Sequence, residues 1–106
     1  MIKIFVDDMR VPLDDEWILA SDVSEAKELI SKGEEFMVSL DHDLGEKEGE
    51  EPTTRPLIAW CVKNGHTPVA AAVHSSNPVG AAWLEAALDR DFPNPIPRIN
   101  APEWGL

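Results

Sequence analysis

The sequence predicts a single α/β domain over residues 1–106: a parallel sheet of four or five strands, helices on both faces, and a shortened first crossover. Three observations carry this. Short apolar runs alternate with segments of helical period, the pattern of strands joined by right-handed crossovers. Helix-starting and helix-stopping residues stand at the joints. At 106 residues and 43% hydrophobic composition, the chain can close one hydrophobic core but not two.

Ile2, Ile4, Phe5 and Val6 form a β-branched and aromatic run that stops at Asp7-Asp8, as a buried strand does on leaving a sheet. Arg10 to Glu16 holds Pro12 and three acids without helical period, so it reads as a loop, followed by a short strand over Trp17 to Ala20. Asp22-x-x-Glu25 has the form of a capping box, with Ala26, Leu29 and Ile30 on one helical face and Gly33 as the stop. Phe36 to Leu40 is the next strand and runs into Asp41-His42-Asp43-Leu44-Gly45. Glu46 to Pro52 is charge and turn residues, a solvated loop. Thr53 to Asn64 reads as a helix with Pro56 in its first turn, Leu57, Trp60 and Cys61 on one face, and Gly65 at its end.

Val69 to Val73 is a strand of small apolar residues leading to His74-Ser75-Ser76, and Asn77-Pro78 has the chemistry of a helix start. Val79, Ala82, Trp83, Ala86 and Ala87 fall at offsets 0, 3, 4, 7 and 8, which predicts the buried face of that helix. From Phe92 onward, Pro93, Pro95, Pro97 and Pro102 forbid a long helix and leave room for a brief edge strand around Ile96 to Ile99. Trp17, Trp60 and Trp83 lie in periodic segments and read as core. Trp104, in the tail of residues 92–106, either docks on the domain or offers a stacking face.

The formal net charge is -11, with nine Lys and Arg scattered along the chain, so no extended nucleic-acid binding is expected. A small phosphate-containing ligand or an RNA end, bridged through a cation, fits. No apolar run is long enough to cross a bilayer, and the lone Cys61 sits in an apolar helical pattern, which together lead to the expectation of a cytoplasmic protein without membrane partners.

Three strands end in polar groups: Asp7-Asp8, Asp41-His42-Asp43 and His74-Ser75-Ser76. In an open parallel sheet, ligands bind beyond the carboxyl ends of the strands. Carboxylates gathered there repel one another unless a cation neutralises them, and hard oxygen donors suit magnesium, with manganese as the alternative. Asp7, Asp8 and Asp41 are the expected metal ligands. Asp43, beyond the strand, is either a fourth ligand or the residue that orients His42. Ser75, Ser76, Asn77 and the helix amino terminus that follows would bind phosphate, with Arg10 as the nearest cation.

The Phe5-Val6-Asp7-Asp8 run, the strand ending at Asp41 and the strand leading to Ser75 resemble the receiver domain of response regulators, a flavodoxin-like fold. Val6-Asp7-Asp8-x-Arg10, Ser39-Leu40-Asp41-His42-Asp43-Leu44-Gly45 and Val73-His74-Ser75-x-Asn77-Pro78 resemble more closely the cyclic-phosphate-processing receiver family. The resemblance spans about residues 2 to 90 and implies action on cyclic phosphates at nucleotide or RNA ends. The lysine that ordinary receivers place after their last strand has no counterpart, because no lysine follows Lys63. Neither Arg10 nor Arg98 matches its position.

The reading that follows is metal-dependent hydrolysis of a cyclic phosphate, with Asp41, His42 and His74 as catalytic residues and the two histidines as acid and base. The alternative is a signalling or binding module phosphorylated on Asp41. A third is a surface for protein interaction alone. Each acidic pair by itself is also what an ordinary strand-ending turn uses, and Ser75 and Ser76 are also ordinary helix caps. Repetition on one sheet edge is what favours a site.

Overall fold

The computed structural model describes residues 1–106. Strand β1 (Ile2–Val6) is followed by a two-residue strand β2 (Val11–Pro12), by β3 (Trp17–Ala20) and by helix α1 (Val23–Ile30). Then come β4 (Phe36–Leu40), α2 (Arg55–Asn64), β5 (Ala70–Val73), α3 (Pro78–Arg90) and β6 (Trp104–Gly105). The main sheet is four-stranded and parallel, in the order β3-β1-β4-β5. This is the receiver-like order, and the first crossover is short, with no helix in it.

The joints form for the reasons the sequence suggests. Asp22 Oδ1 accepts from the Glu25 N–H at the start of α1, while Glu25 reaches back to the Ser21 N–H rather than to that of the cap residue. Gly65 closes α2 in the left-handed conformation, with φ of 73°. Asn77 caps α3 by accepting from the N–H groups of Val79 and Gly80.

Register and pleat assign the faces. Ile4, Val6, Val38, Leu40 and Ala71 share a core with residues of all three helices, including Ile30, Leu57, Leu84 and Leu88. Burying each such side chain is worth about 1.5–3 kcal/mol. Helices were expected on both faces, but all three lie on this one. The physical cause is local: the shortened first crossover contains no helix, and the prolines of the tail prevent one. Phe5 and Ser39, of opposite parity, are nevertheless fully buried.

His74 covers both, its ring stacked on Phe5 at 4.2 Å and its Nδ1 on the Ser39 hydroxyl, whereas the tail packs with the helices. It folds back so that Phe92 and Ile96 join the core, and it meets the free edge of β5 through hydrogen bonds from Ala71 N–H to the Pro97 carbonyl and from Ile99 N–H to the Ala71 carbonyl. The edge strand expected around Ile96 to Ile99 is thus a single parallel bridge between Ala71 and Arg98. The chain then crosses to the other side of the molecule, where β6 pairs antiparallel with β2 and Leu13 N–H donates to the Glu103 carbonyl. The segment read as a plain loop, Arg10 to Glu16, therefore contains half of a small second sheet.

Helix α3 corrects a second expectation. Its buried residues are Gly80, Leu84, Ala87 and Leu88, while Val79 is 74% exposed and Ala82 is exposed. Because the helix is apolar nearly all round, two stripes satisfy the helical period. The choice is made by Gly80, which lies against the ring of His42 so closely that a Cβ would fall 2.3 Å from its Cγ.

Candidate metal and phosphate site

The register Val6–Leu40–Val73 across β1, β4 and β5 makes Asp7, Asp41 and His74 consecutive neighbours just beyond the sheet. Backbone hydrogen bonds from Asp41 N–H to the Val6 carbonyl and from His74 N–H to the Leu40 carbonyl hold them there. Ligand atoms of Asp7, Asp8 and Asp41 come within 4.8 Å of one another. They line a cleft of about 300 Å³ together with Met9, Arg10, Asp43, Gly45, Ser76 and Leu106.

Asp7 is the most constrained. Its Oδ1 accepts from the N–H groups of Met9 at 2.9 Å and Arg10 at 3.0 Å, and its Oδ2 lies 3.0 Å from His74 Nε2 and 3.8 Å from the Arg10 guanidinium. Asp8 is exposed and abuts Gly45, whose φ of +69° and missing Cβ let the loop approach. Asp41 accepts from the His42 N–H, and the Thr54 hydroxyl donates to its carbonyl. Burial, reinforced by the charge of Asp7, raises the Asp41 carboxyl pKa above its ordinary value, against the opposing pull of the His42 N–H, Arg10 and Ser75. A cation would remove that strain. Three hard oxygen donors from adjacent strand ends fit a magnesium-like ion, which keeps several waters and needs few carboxylates.

Asp43 does not belong to the triad. Its Oδ1 accepts from His42 Nδ1 at 2.8 Å and its Oδ2 from the Asn77 amide at 3.0 Å, and these hydrogen bonds, His42 first, hold its carboxyl below the ordinary value. The direction of this chain is determined. Arg55 Nε–H donates to His42 Nε2 at 2.9 Å, and an arginine can only donate, so the His42 proton sits on Nδ1 and points at Asp43. The Arg55 guanidinium in turn rests on the Trp83 ring, 4.7 Å from its centre.

His74 holds Asp7 in the same way. With Asp7 ionised, Nε2–H donates to Oδ2, which leaves Nδ1 to accept from the Ser39 hydroxyl at 2.7 Å. The ring stacks on Phe5 at 4.2 Å, and its side chain is 1% exposed. Burial lowers its pKa, and the Asp7 hydrogen bond opposes that shift.

Of the two residues expected as acid and base, neither lines the cleft, and both ring nitrogens of each are engaged with protein groups: His42 with Asp43 and Arg55, His74 with Asp7 and Ser39. The pleat explains their separation: Asp41 and His42 are adjacent and point to opposite sides, His42 toward the helices. The helix amino terminus is also unavailable to phosphate, because Asn77 Oδ1 already accepts from Val79 and Gly80. Ser75 Oγ accepts from the Asn77 N–H, and its own O–H is engaged with the Asp41 carboxylate. Arg98 is remote, bound to Glu85 and Asp89. Of the expected phosphate ligands, Arg10 and Ser76 face the cleft, with Arg10 donating to Ser76 Oγ at 3.4 Å.

Residues 2–90 match the family model of the cyclic-phosphate processing receiver domain. The chain belongs to that family. Among curated proteins and solved structures, none matches. Family membership suggests a role in cyclic-phosphate processing. No helix of this receiver is long and apolar enough to cross a membrane.

Trp104, read from the sequence as docking or stacking, docks beside the site, whereas Leu106, which lines the cleft, was not foreseen. The Trp104 ring lies 4.4 Å from the Arg10 guanidinium and its centre is 6.3 Å from that of His74. A lone aromatic in a proline-rich tail was the only signal.

Proposed function

We propose that this receiver domain hydrolyses a cyclic phosphodiester on a small nucleotide or RNA end, using a divalent cation held by Asp7, Asp8 and Asp41. The observation that carries the reading is the three-carboxylate cluster facing Arg10 and Ser76 across one small cleft. Family membership supports the cyclic phosphate as the group acted on.

When bound, such a cation polarises phosphoryl oxygens and orients a water. The chain's own residues do the rest. Arg10 offers two-pronged donation to non-bridging phosphate oxygens, and the Ser76 hydroxyl adds a donor on the same wall. His74 and the Met9 and Arg10 N–H groups fix the rotamer of Asp7; the His42 N–H fixes that of Asp41. His42 and Asn77 hold Asp43 ionised at the cleft wall. Water adds its oxygen to phosphorus as one ring P–O bond breaks, and the proton it gives up ends on the freed ribose oxygen, leaving a phosphomonoester.

With a net charge of -11, an anionic ligand reaches this cleft only where a cation and Arg10 offset the field. That supports a small ligand over extended nucleic acid. A reducing, cytoplasmic setting belongs to the same proposal and is supported by the single buried thiol of Cys61.

The test is turnover of 2′,3′-cyclic AMP with magnesium or manganese. Activity that needs the metal, is lost in Asp41→Asn and persists with a raised KM in Arg10→Ala supports the proposal. Absence of turnover across several metals, with stable labelling of Asp41 by acetyl phosphate, would replace it with the phospho-acceptor reading.

A further inference from the structure

The family match ends at residue 90, yet the tail beyond it reaches the cleft. Its route is specific. Val11 pairs with Gly105 and Pro12 with Trp104, so the strand that immediately follows Arg10 in the chain brings Trp104 against the Arg10 side chain. Arg10 then has four constraints: its backbone N–H on Asp7 Oδ1, NH1 at 3.8 Å from Asp7 Oδ2, NH2 on Ser76 Oγ at 3.4 Å, and the Trp104 ring at 4.4 Å from the guanidinium.

The first three are weak anchors for the head group. The backbone hydrogen bond holds the main chain, 3.8 Å is a loose ion pair, and 3.4 Å is a long hydrogen bond. Left to these, a long side chain with about 2 kcal/mol of rotamer entropy would sample several positions. The ring removes that freedom by covering one face of the guanidinium, and it leaves the edge donors free to meet an anion in the cleft. Leu106 continues the same wall.

We propose that Trp104 is a positioning residue: it holds the Arg10 guanidinium in place over the Asp7–Asp41 cleft for recognition of a phosphate group. The phosphate part rests on the function proposed above; the holding part does not. The aromatic face is the active element, so phenylalanine should retain the effect and leucine, equal in apolar character but without a π face, should lose it.

The experiment uses the full chain and reads Arg10 directly, through the ¹⁵N order parameter of its Nε–H, in wild type, Trp104→Phe and Trp104→Leu. Protection of the Leu13 amide from exchange reports whether the tail still docks, through its hydrogen bond to Glu103. Expected are a rigid Nε–H in wild type and Trp104→Phe, and a mobile one in Trp104→Leu with Leu13 still protected. Equal rigidity in wild type and Trp104→Leu would overturn the proposal, as would mobility already present in wild type.

A second arm measures 2′,3′-cyclic AMP kinetics. Trp104→Leu should raise KM about 3- to 5-fold with kcat retained, a loss on the scale of one cation–π contact. In an Arg10→Ala background it should change nothing further, because Trp104 acts through Arg10. Additive effects in that background would overturn the positioning role. If wild type shows no turnover, the functional reading fails while the order parameters still decide whether Trp104 holds Arg10.

Discussion

Replacing Gly80 by alanine would put a Cβ 2.3 Å from Cγ, 2.6 Å from Nδ1 and 2.7 Å from Cβ of His42. Ordinary van der Waals contact starts near 3.4 Å, so ring and helix must separate by about 1 Å. The ring is not free to give way. Nδ1 is bonded to Asp43 and Nε2 to Arg55, and the side chain is 6% exposed. Overpacking of this kind costs about 1–3 kcal/mol, and weakening two hydrogen bonds adds about 1 kcal/mol each. Alanine's better helix propensity returns about 1 kcal/mol. The net destabilisation is about 2–4 kcal/mol, which for a domain of this size lowers Tm by about 9–18 °C. Thermal unfolding followed by circular dichroism measures it. The decisive comparison is the same substitution in a His42→Ala background, where the methyl meets no ring and the helix preference should make Gly80→Ala neutral or mildly stabilising. Equal destabilisation in both backgrounds, or a Tm at or above wild type for Gly80→Ala alone, would refute the packing argument.

Three further outcomes follow from the same geometry. Asp41→Asn should raise Tm without metal, because it relieves the repulsion with Asp7, and should abolish the metal-induced rise, which in wild type reaches about 6 °C at ten times Kd; differential scanning fluorimetry with and without magnesium reads both. Gly45→Ala should weaken metal affinity, since its Cβ would sit 2.9 Å from Asp8 Oδ2, whereas Gly49→Ala, with φ of +81° and open space around it, should cost only backbone strain of about 1 kcal/mol and leave metal titrations unchanged. Cys61 should resist iodoacetamide in the folded protein, because burial pushes its thiol up to about 12 from 9.0. The folded thiol keeps its proton while the unfolded one ionises, so stability from this group is full below pH 9.0 and falls, by at most about 1.4 kcal/mol per pH unit, toward pH 12; denaturant melts across that range measure it.

The functional consequence of the fold is a division of labour among carboxylates. Asp7 and Asp41 face the cleft, Asp7 locked by His74 and Asp41 by the His42 N–H, while Asp43 is tied to His42 and Asn77. No buried side-chain polar atom lacks a partner, so the network is complete as a scaffold. A site built this way presents oxygen donors that would have little freedom to lose on binding the proposed cation.

The elements themselves were legible in the sequence. Ile2–Val6, Trp17–Ala20 and Phe36–Leu40 match the expected strands, and the caps at Asp22, Gly65 and Asn77 sit where read, because strand runs, turn chemistry and capping depend on residues a few positions apart. The same locality made the acids at two strand ends visible. What tertiary structure alone decided was direction and partnership: that the pleat sends Asp41 toward the cleft and His42 toward the helices, that α3 buries the stripe through Gly80 and Leu84, and that Trp104 returns from the far end of the chain to lie on Arg10. Each depends on register and on contacts between residues distant in sequence, and an apolar helix or a proline-rich tail carries no local pattern that selects among the surfaces it fits.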